Sequence, residues 1–412
     1  MTEDALPVRA LAAAFDDDLL TDYVPDALGA ADVRRRLALG RPLDDGPLDV
    51  GLLRIPLTRR TETVPVASSL TRARMVLLTE QALAAHTPRP EVFSYRSPDW
   101  QYRPAYRARQ HRLRELAARR DLPLVLVLDV HRFGRSLPLA ALTGAPWITA
   151  GLAEALTSLH AATDRCLLLG HRWSNRLATA ALAPVDETVA ALAPDRWTRW
   201  GDDLHIFVRD AEEADDIRAA VVAALTRLGL RLSPDKSTLA PPTAVLAGPA
   251  RVVEGSPQEV WRTGLASGDV TALRYALPRT PPDDTVSATV VGAALGRPVL
   301  LPRVVHYLDR AVGTPGGQAA AQELLRSTEP DAFTAARLLA LAGRHPLLAR
   351  AASQELLAVA DGSGFTPLRE LAFRVDALRG NPHRLPPTSR MRDWLITDSR
   401  DRSQLPPVTT LL

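Results

Sequence analysis

Asp202 and Asp203 stand side by side in the stretch RWGDDLHIF, Asp129 ends the run LPLVLVLD, and Lys236 is the only lysine in 412 residues. Two adjacent carboxylates repel unless a cation shares them. Hard carboxylate oxygens suit Mg²⁺. A carboxylate at the exit of a buried strand is costly unless it is paired or bound to metal. Arginine supplies every other side-chain cation here except histidine, so the retained lysine asks for a reason. An ammonium can give up a proton when its surroundings tune it, and a guanidinium effectively cannot. The competing readings are a solvated Gly-Asp-Asp turn and a lysine kept by chance.

The elements that must position these groups are visible around them. Leu124–Leu128 is a continuous apolar run and reads as a buried strand that delivers Asp129. Trp197–Trp200 is extended, Gly201 permits a tight turn, and Leu204, Ile206 and Val208 alternate with His205 and Phe207 as a half-buried strand. The pair Asp202-Asp203 therefore sits at a hairpin tip. Ile217, Val221, Ala224, Leu225 and Leu228 fall on one helix face. Gly229 stands where a helix C-cap is expected. A short strand Leu230–Leu232 then leads through Pro234 to Lys236. Upstream, Gly170 reads as a hinge before a long helix, with Ser174 one turn in.

Further from this core, Leu52–Leu57 and Thr63–Val66 read as strands flanking a turn at Arg59-Arg60. Arg72 and Arg74 open a following helix. The arginines of that tip and helix could hold a triphosphate, and ordinary surface arginines are the competing reading. Residues 95–120 concentrate positive charge: Arg96, Arg103, Arg107, Arg109, Arg112, Arg114, Arg119 and Arg120, with Tyr95, Trp100, Tyr102 and Tyr106 interleaved. Arginines meet phosphates and flat rings stack on bases, so nucleic acid is the expected partner, against a plain solvated helix. Asp16–Asp18 reads as a solvated charge run.

The length allows two or three domains. Net charge is only +3, so the local basic stretch says more than the total. Cys166 is the sole cysteine, which excludes an intramolecular disulfide. No apolar run approaches the roughly 20 residues of a membrane span, and the acidic N-terminus is unlike a signal peptide. A cytoplasmic protein with no membrane partner is expected. Phosphate-binding glycine loops, zinc spacings and hydrolase elbows are missing from the sequence. The boundaries read are 1–50 helical lead, 51–121, 122–240, 241–299 with proline-rich linkers, 300–380 short paired helices of a repeat-like kind, and 381–412 an extended tail.

In this order the parts resemble the palm of a reverse transcriptase, from about Leu53 to Leu239. LDVHRFGRSL resembles the first catalytic motif of that family. GHRWSNRLATAALAPVD resembles the motif that usually reads PQG, then serine, alanine, leucine and aspartate, with Gly170, Ser174, Ala178, Leu182, Pro184 and Asp186 in step. RWGDDLHIF resembles the tyrosine–X–Asp–Asp hairpin, Trp200 standing at the tyrosine. LGLRLSPDKS resembles the motif that ends in the catalytic-site lysine, and VPVASSLTRARMV with FSYR resembles the fingers. The resemblance implies an α+β fold: fingers at 51–121, a ferredoxin-like palm sheet with helices at 122–240, a thumb-like region, and an all-α C-terminal domain. Two departures stand out. Leu168-Leu169 replaces proline–glutamine. Gly134 stands where a bulky ring normally blocks ribonucleotides, so sugar selection is expected to relax unless Phe133 substitutes.

The resemblance further implies nucleotidyl transfer to a growing strand, DNA being the favoured product, with two Mg²⁺ ions (or Mn²⁺) held by Asp129, Asp202, Asp203 and the Val130 carbonyl. Lys236 would neutralise the leaving pyrophosphate. Arg59, Arg60, Arg72, Arg74, Phe133, Gly134, Gly170 and Ser174 would face the incoming dNTP. Arg96, Arg103, Arg107, Arg109 and Trp200 would face nucleic acid, an RNA template or a bound noncoding RNA with its DNA product. The arginine-rich chain with helices after the palm looks like the bacterial reverse transcriptases of abortive infection and phage defence, a resemblance that implies DNA synthesis without an ordinary template or primer as one option; an oligomer is left open. Rival readings are an rNTP-tolerant or untemplated polymerase, a nucleotide cyclase palm, and a silent nucleic-acid-binding scaffold. The long interval from Asp129 to Asp202, filled by the Gly170 motif, speaks against the cyclase.

Overall fold

The structure is a computed structural model that describes residues 48–56, 61–94, 102–168, 170–247, 255–326 and 329–380. Arg59, Arg60 and Arg96 fall outside the described residues, as do the helical lead and the extended tail expected at the two ends. The fold is mixed α and β, with two small antiparallel sheets among the described residues. The described residues divide into two compact units, one within Arg72–Arg251 and one that joins the residues from 48 to Thr71 to those from 255 onward.

In the second unit, strands β1 (Val50–Pro56) and β2 (Thr61–Ala67) pair from Val50↔Ala67 to Pro56↔Thr61. Alternation along β1 buries Leu53 and Ile55 and exposes Arg54. These residues, with Val64 and Val66, share one core with helices from Pro257–Ser267 to Thr366–Leu378. The hairpin read as part of the fingers thus packs among the helices of the C-terminal half. Within this unit the described part of the stretch read as linker holds the helices Pro257–Ser267, Val270–Ala276 and Asp284–Gly296. The first begins at a capping box made by Ser256 and Glu259, a local signal that the prolines around it obscure.

The first unit is built on a four-stranded sheet. After α1 (Ser69–Ala82), which runs across the division between the units, and α2 (Tyr102–Ala117) come β3 (Leu124–Asp129) and the helices α3 (Phe133–Ser136), α4 (Leu139–Thr143), α5 (Ala150–Thr163), α6 (Arg172–Ala181) and α7 (Ala183–Leu192). Then β4 (Trp197–Trp200), β5 (Asp203–Val208), α8 (Ala211–Arg227) and β6 (Thr238–Ala240) complete a β-α-β-β-α-β order. The strands lie β4-β5-β3-β6, all antiparallel, so the strand that carries Asp129 is central.

One sheet face carries Leu126, Leu128, Leu204, Ile206 and Trp197, all fully buried. The other carries Val125 and Phe207, which pack with Leu113 and Leu116 of α2. The arginine-rich helix therefore covers the face that also bears Asp129 and Asp203. β5 accordingly alternates part-buried Asp203 and His205 with buried Leu204 and Ile206, as its sequence pattern suggested, and is buried on both faces only at Phe207 and Val208. The long helix expected after Gly170 is two helices that break at Leu182. Pro184 lies in the first turn of the second, where its missing N–H costs nothing.

Candidate active site

Two turns deliver the chemistry. Between β4 and β5 only Gly201 and Asp202 intervene, and Gly201 adopts φ 59°. A two-residue connection with its first residue alone in positive φ has the pattern of a type II′ turn, whose twist matches the strands it joins. Trp200 and Asp203 are paired across it, so Asp202 is carried at the apex.

The second turn ends α8. Its start is fixed by Asp210, whose side chain accepts from the Glu213 N–H. At its end Gly229 is left-handed at φ 71°. The Gly229 N–H donates to Thr226 O at 3.0 Å and the Leu230 N–H to Leu225 O at 2.9 Å, the two bonds of a Schellman cap. This reversal sends residues 231–233 back along the end of β3. His131 N–H donates to Arg231 O and Ser233 N–H to Asp129 O, at 2.9 and 2.8 Å. A short 3-10 turn, Pro234–Lys236, then sets the lysine beside the strand it has just joined.

Asp129 stands directly opposite Asp203 across β3 and β5. Because the Asp129 carbonyl is used on the β6 side by Ser233, the Asp129–Asp203 pair is of the non-hydrogen-bonded kind. Side chains come closest in such pairs. The same alternation points the Val130 carbonyl toward the β5 side, where the hairpin apex lies. Lys236 Nζ donates to Asp129 Oδ2 at 3.0 Å. Asp129 is 6% exposed and the lysine side chain 67%, so the ammonium reaches in from solvent.

The electrostatics follow from this crowding. Burial pushes the Asp202 carboxyl up to about 6, and the charges of Asp203 and Asp129 push the same way. Asp203 is also raised by burial, with Arg109 and Lys236 opposing. Lys236 is raised above its ordinary value by its bond to Asp129 and by the two other carboxylates. The Arg109 side chain, 5% exposed on α2, extends Nη2 to the Asp203 carbonyl at 3.5 Å and to His205 Nδ1 at 3.4 Å. A guanidinium only donates, so Nδ1 accepts and the His205 proton sits on Nε2. Burial and Arg109 hold His205 down at about 4, so it is neutral at pH 7.

Of the residues singled out by the sequence, Asp129, Val130, Asp202, Asp203, Lys236 and Arg109 meet at one end of this sheet. Arg109 is a buried partner of the acidic strand, where an exposed nucleic-acid contact was expected. Trp200 lies at the same end and meets Tyr106 of α2 edge to face, ring centroids 5.5 Å apart. Arg107 is exposed on α2, and the Arg103 side chain falls outside the described residues. Phe133 is buried at the start of α3, followed by part-buried Gly134. Ser174 is buried on α6, and Gly170 turns ahead of that helix at φ 83°. Arg72 is buried and Arg74 part-buried on α1.

Three further residues hold the site and were not read as doing so. Arg199, fully buried on β4, meets the Asp186 carboxylate with Nε and Nη2, both at 2.6 Å. It also donates to the Gly201 carbonyl at 2.7 Å and the Thr179 carbonyl at 3.0 Å. Ser94 Oγ accepts from the Gly201 N–H at 2.9 Å. Asp186 had been noticed only as the last position of a motif. An arginine in a strand as short and apolar as β4 was the available signal, since a buried guanidinium requires an acid.

The donor set is hard and anionic: three carboxylates and one peptide carbonyl. Asp202 is raised chiefly by its burial, and the neighbouring charges of Asp203 and Asp129 add to the shift against Lys236. These residue types fit a divalent cation of the Mg²⁺ or Mn²⁺ kind. Among the described residues no three His, Cys, Asp or Glu side chains are already gathered as a metal cage. Nor is any helix among them long and apolar enough to cross a membrane. Compared with known proteins, the chain matches no family model and no curated sequence.

Proposed function

We propose that this chain is a reverse-transcriptase-like nucleotidyltransferase that extends a nucleic-acid strand, with deoxynucleotides as the favoured substrate. The observation that carries the reading is the convergence of Asp129, Asp202, Asp203 and Lys236, from three separated segments, at one end of one sheet. The β-α-β-β-α-β order with central β3 is the ferredoxin-like connectivity expected of a palm.

Asp129 and Asp202, with Asp203 and the Val130 carbonyl in support, are the groups that would hold the divalent cations. Bound there, such ions lower the pKa of an attacking hydroxyl and neutralise a leaving pyrophosphate. Lys236 does the remaining work. Its ammonium is solvent-facing and kept protonated by the carboxylates, so it is placed to meet an anionic leaving group and hand over a proton. Arg109 steadies the Asp203 backbone and adds fixed positive charge behind the carboxylates. The exposed arginines of α2, Arg107 among them, lie on the helix that covers this face, in reach of a phosphodiester backbone. A scaffold without turnover is the second reading. It draws on the Lys236–Asp129 pair, which already satisfies the acid that a cation would use.

Primer extension with a homopolymer template and Mg²⁺ or Mn²⁺ separates the two. Wild type extends the primer and Asp202→Ala/Asp203→Ala abolishes extension, with circular dichroism unchanged. Extension by the double variant removes the site assignment, and inactivity of wild type favours the scaffold. The same assay run with rNTPs tests Gly134: incorporation of both sugars is expected, and strict dNTP use refutes relaxed selection.

A further inference from the structure

Gly201 precedes Asp202 at the hairpin apex, and its backbone is gripped on both sides. Its N–H donates to Ser94 Oγ at 2.9 Å and its carbonyl accepts from Arg199 Nη1 at 2.7 Å. Ser94 arrives there because residues 91–93 run along the outer edge of β4. The Arg199 N–H donates to Glu91 O at 2.9 Å and the Phe93 N–H to Arg199 O at 3.0 Å. Ser94 is fully buried. A backbone N–H can only donate, so Ser94 Oγ is the acceptor at Gly201. Its own proton is then available to Thr179 Oγ1 on α6, 3.5 Å away. The Thr179 carbonyl in turn accepts from Arg199 Nη2 at 3.0 Å. The apex is thereby tied to α6 by two routes, one through a serine and one through an arginine.

A two-residue turn that carries one of three crowded carboxylates would relax outward if it were free, because the like charges repel and water solvates them better. The two tethers oppose that relaxation. We propose that Ser94, through Gly201, is a positioning residue that keeps Asp202 where it shares a divalent cation with Asp129. This rests on the cation-dependent reading above. Ser94 supplies no charge to the site and acts only on the peptide before the ligand.

The test is Mn²⁺ binding to the full chain, followed by electron paramagnetic resonance, for wild type, Ser94→Ala and Thr179→Val. Groups that orient a metal ligand typically contribute 10- to 100-fold to affinity. Because Ser94 acts through backbone, Ser94→Ala is expected to weaken Mn²⁺ binding about 10-fold. Thr179→Val shifts it the same way by less. Nucleotide addition by Ser94→Ala falls at limiting Mg²⁺ and recovers at saturating Mg²⁺. Lower thermal stability with an unmoved Mn²⁺ constant means a structural role only and overturns the proposal. Should Ser94→Ala not fold, Thr179→Val decides, and an unchanged constant there overturns it. If wild type itself takes up no Mn²⁺, the cation reading falls and the proposal with it. If wild type binds and Ser94→Ala binds equally well, the proposal alone fails.

Discussion

Replacing Asp186 by asparagine leaves Arg199 as a buried charge without its acid. The guanidinium is fully buried, and two of its nitrogens approach the carboxylate at 2.6 Å. An asparagine there keeps one acceptor and turns an amide donor toward donors. Breaking a buried pair from one side costs about 3–5 kcal/mol, because the remaining charge cannot be rehydrated. For a unit of this size about 2–4 °C of melting temperature is lost per kcal/mol, so Asp186→Asn lowers the transition of the sheet-bearing unit by about 10 °C. Differential scanning calorimetry reads it. The companion variant is Asp186→Leu with Arg199→Met, which removes both charges. Apolar replacement of both partners is often neutral or stabilising, so most of the lost stability returns. Primer extension does not return, because Gly201 has lost the Arg199 donor that holds the apex. The double variant thus separates the fold from the site. A loss below about 1 kcal/mol in Asp186→Asn refutes the argument, as does recovery of extension by the double variant.

Lys236→Met removes the cation beside Asp129. An ion pair with one side chain this open contributes about 1 kcal/mol or less, so the melting temperature moves little. Extension falls about 100-fold or more, the scale of a lost proton donor, and an unchanged rate would take Lys236 out of the chemistry. The pH dependence has a definite sign. Asp202 is raised from the ordinary aspartate value of 3.8 to about 6, so between those values the folded state holds the proton more tightly than the unfolded. Stability of the cation-free protein falls as pH rises through that window. Protection by Mn²⁺ grows over the same window, since a cation needs the ionised carboxylate. Thermal shifts measured with and without Mn²⁺ from pH 4 to 8 check this, and protection that is independent of pH would count against Asp202 as a ligand.

The local signals were legible in the sequence. The run Leu124–Leu128 forms β3, the apolar face through Ile217 and Val221 forms α8, and Gly201 and Gly229 take the positive φ their positions required. These features depend on neighbours a few residues apart. The clamp on the hairpin was not legible, because Ser94 and Gly201 are 107 positions apart and nothing near either of them announces the other. Lys236 and Asp129 are equally distant, and they were associated only through a resemblance in motif order. Helix Asp284–Gly296 was hidden differently. Its buried Val286, Val290, Ala293 and Ala294 fall on one face, but the exposed Ala288, Gly292, Leu295 and Gly296 are small or apolar as well, so no clean polar face marks its period. The burial of Arg109 required knowing that α2 lies on the sheet.

β3 receives every partner from later in the chain: β5 along one edge, β6 and residues 231–233 along the other. A polypeptide that ends between residues 130 and 196 therefore holds Asp129 on a strand without partners, and one that ends before residue 231 still lacks the partners along the second edge. Asp129 is enclosed along both edges of its strand only once the chain has been made as far as Ala240.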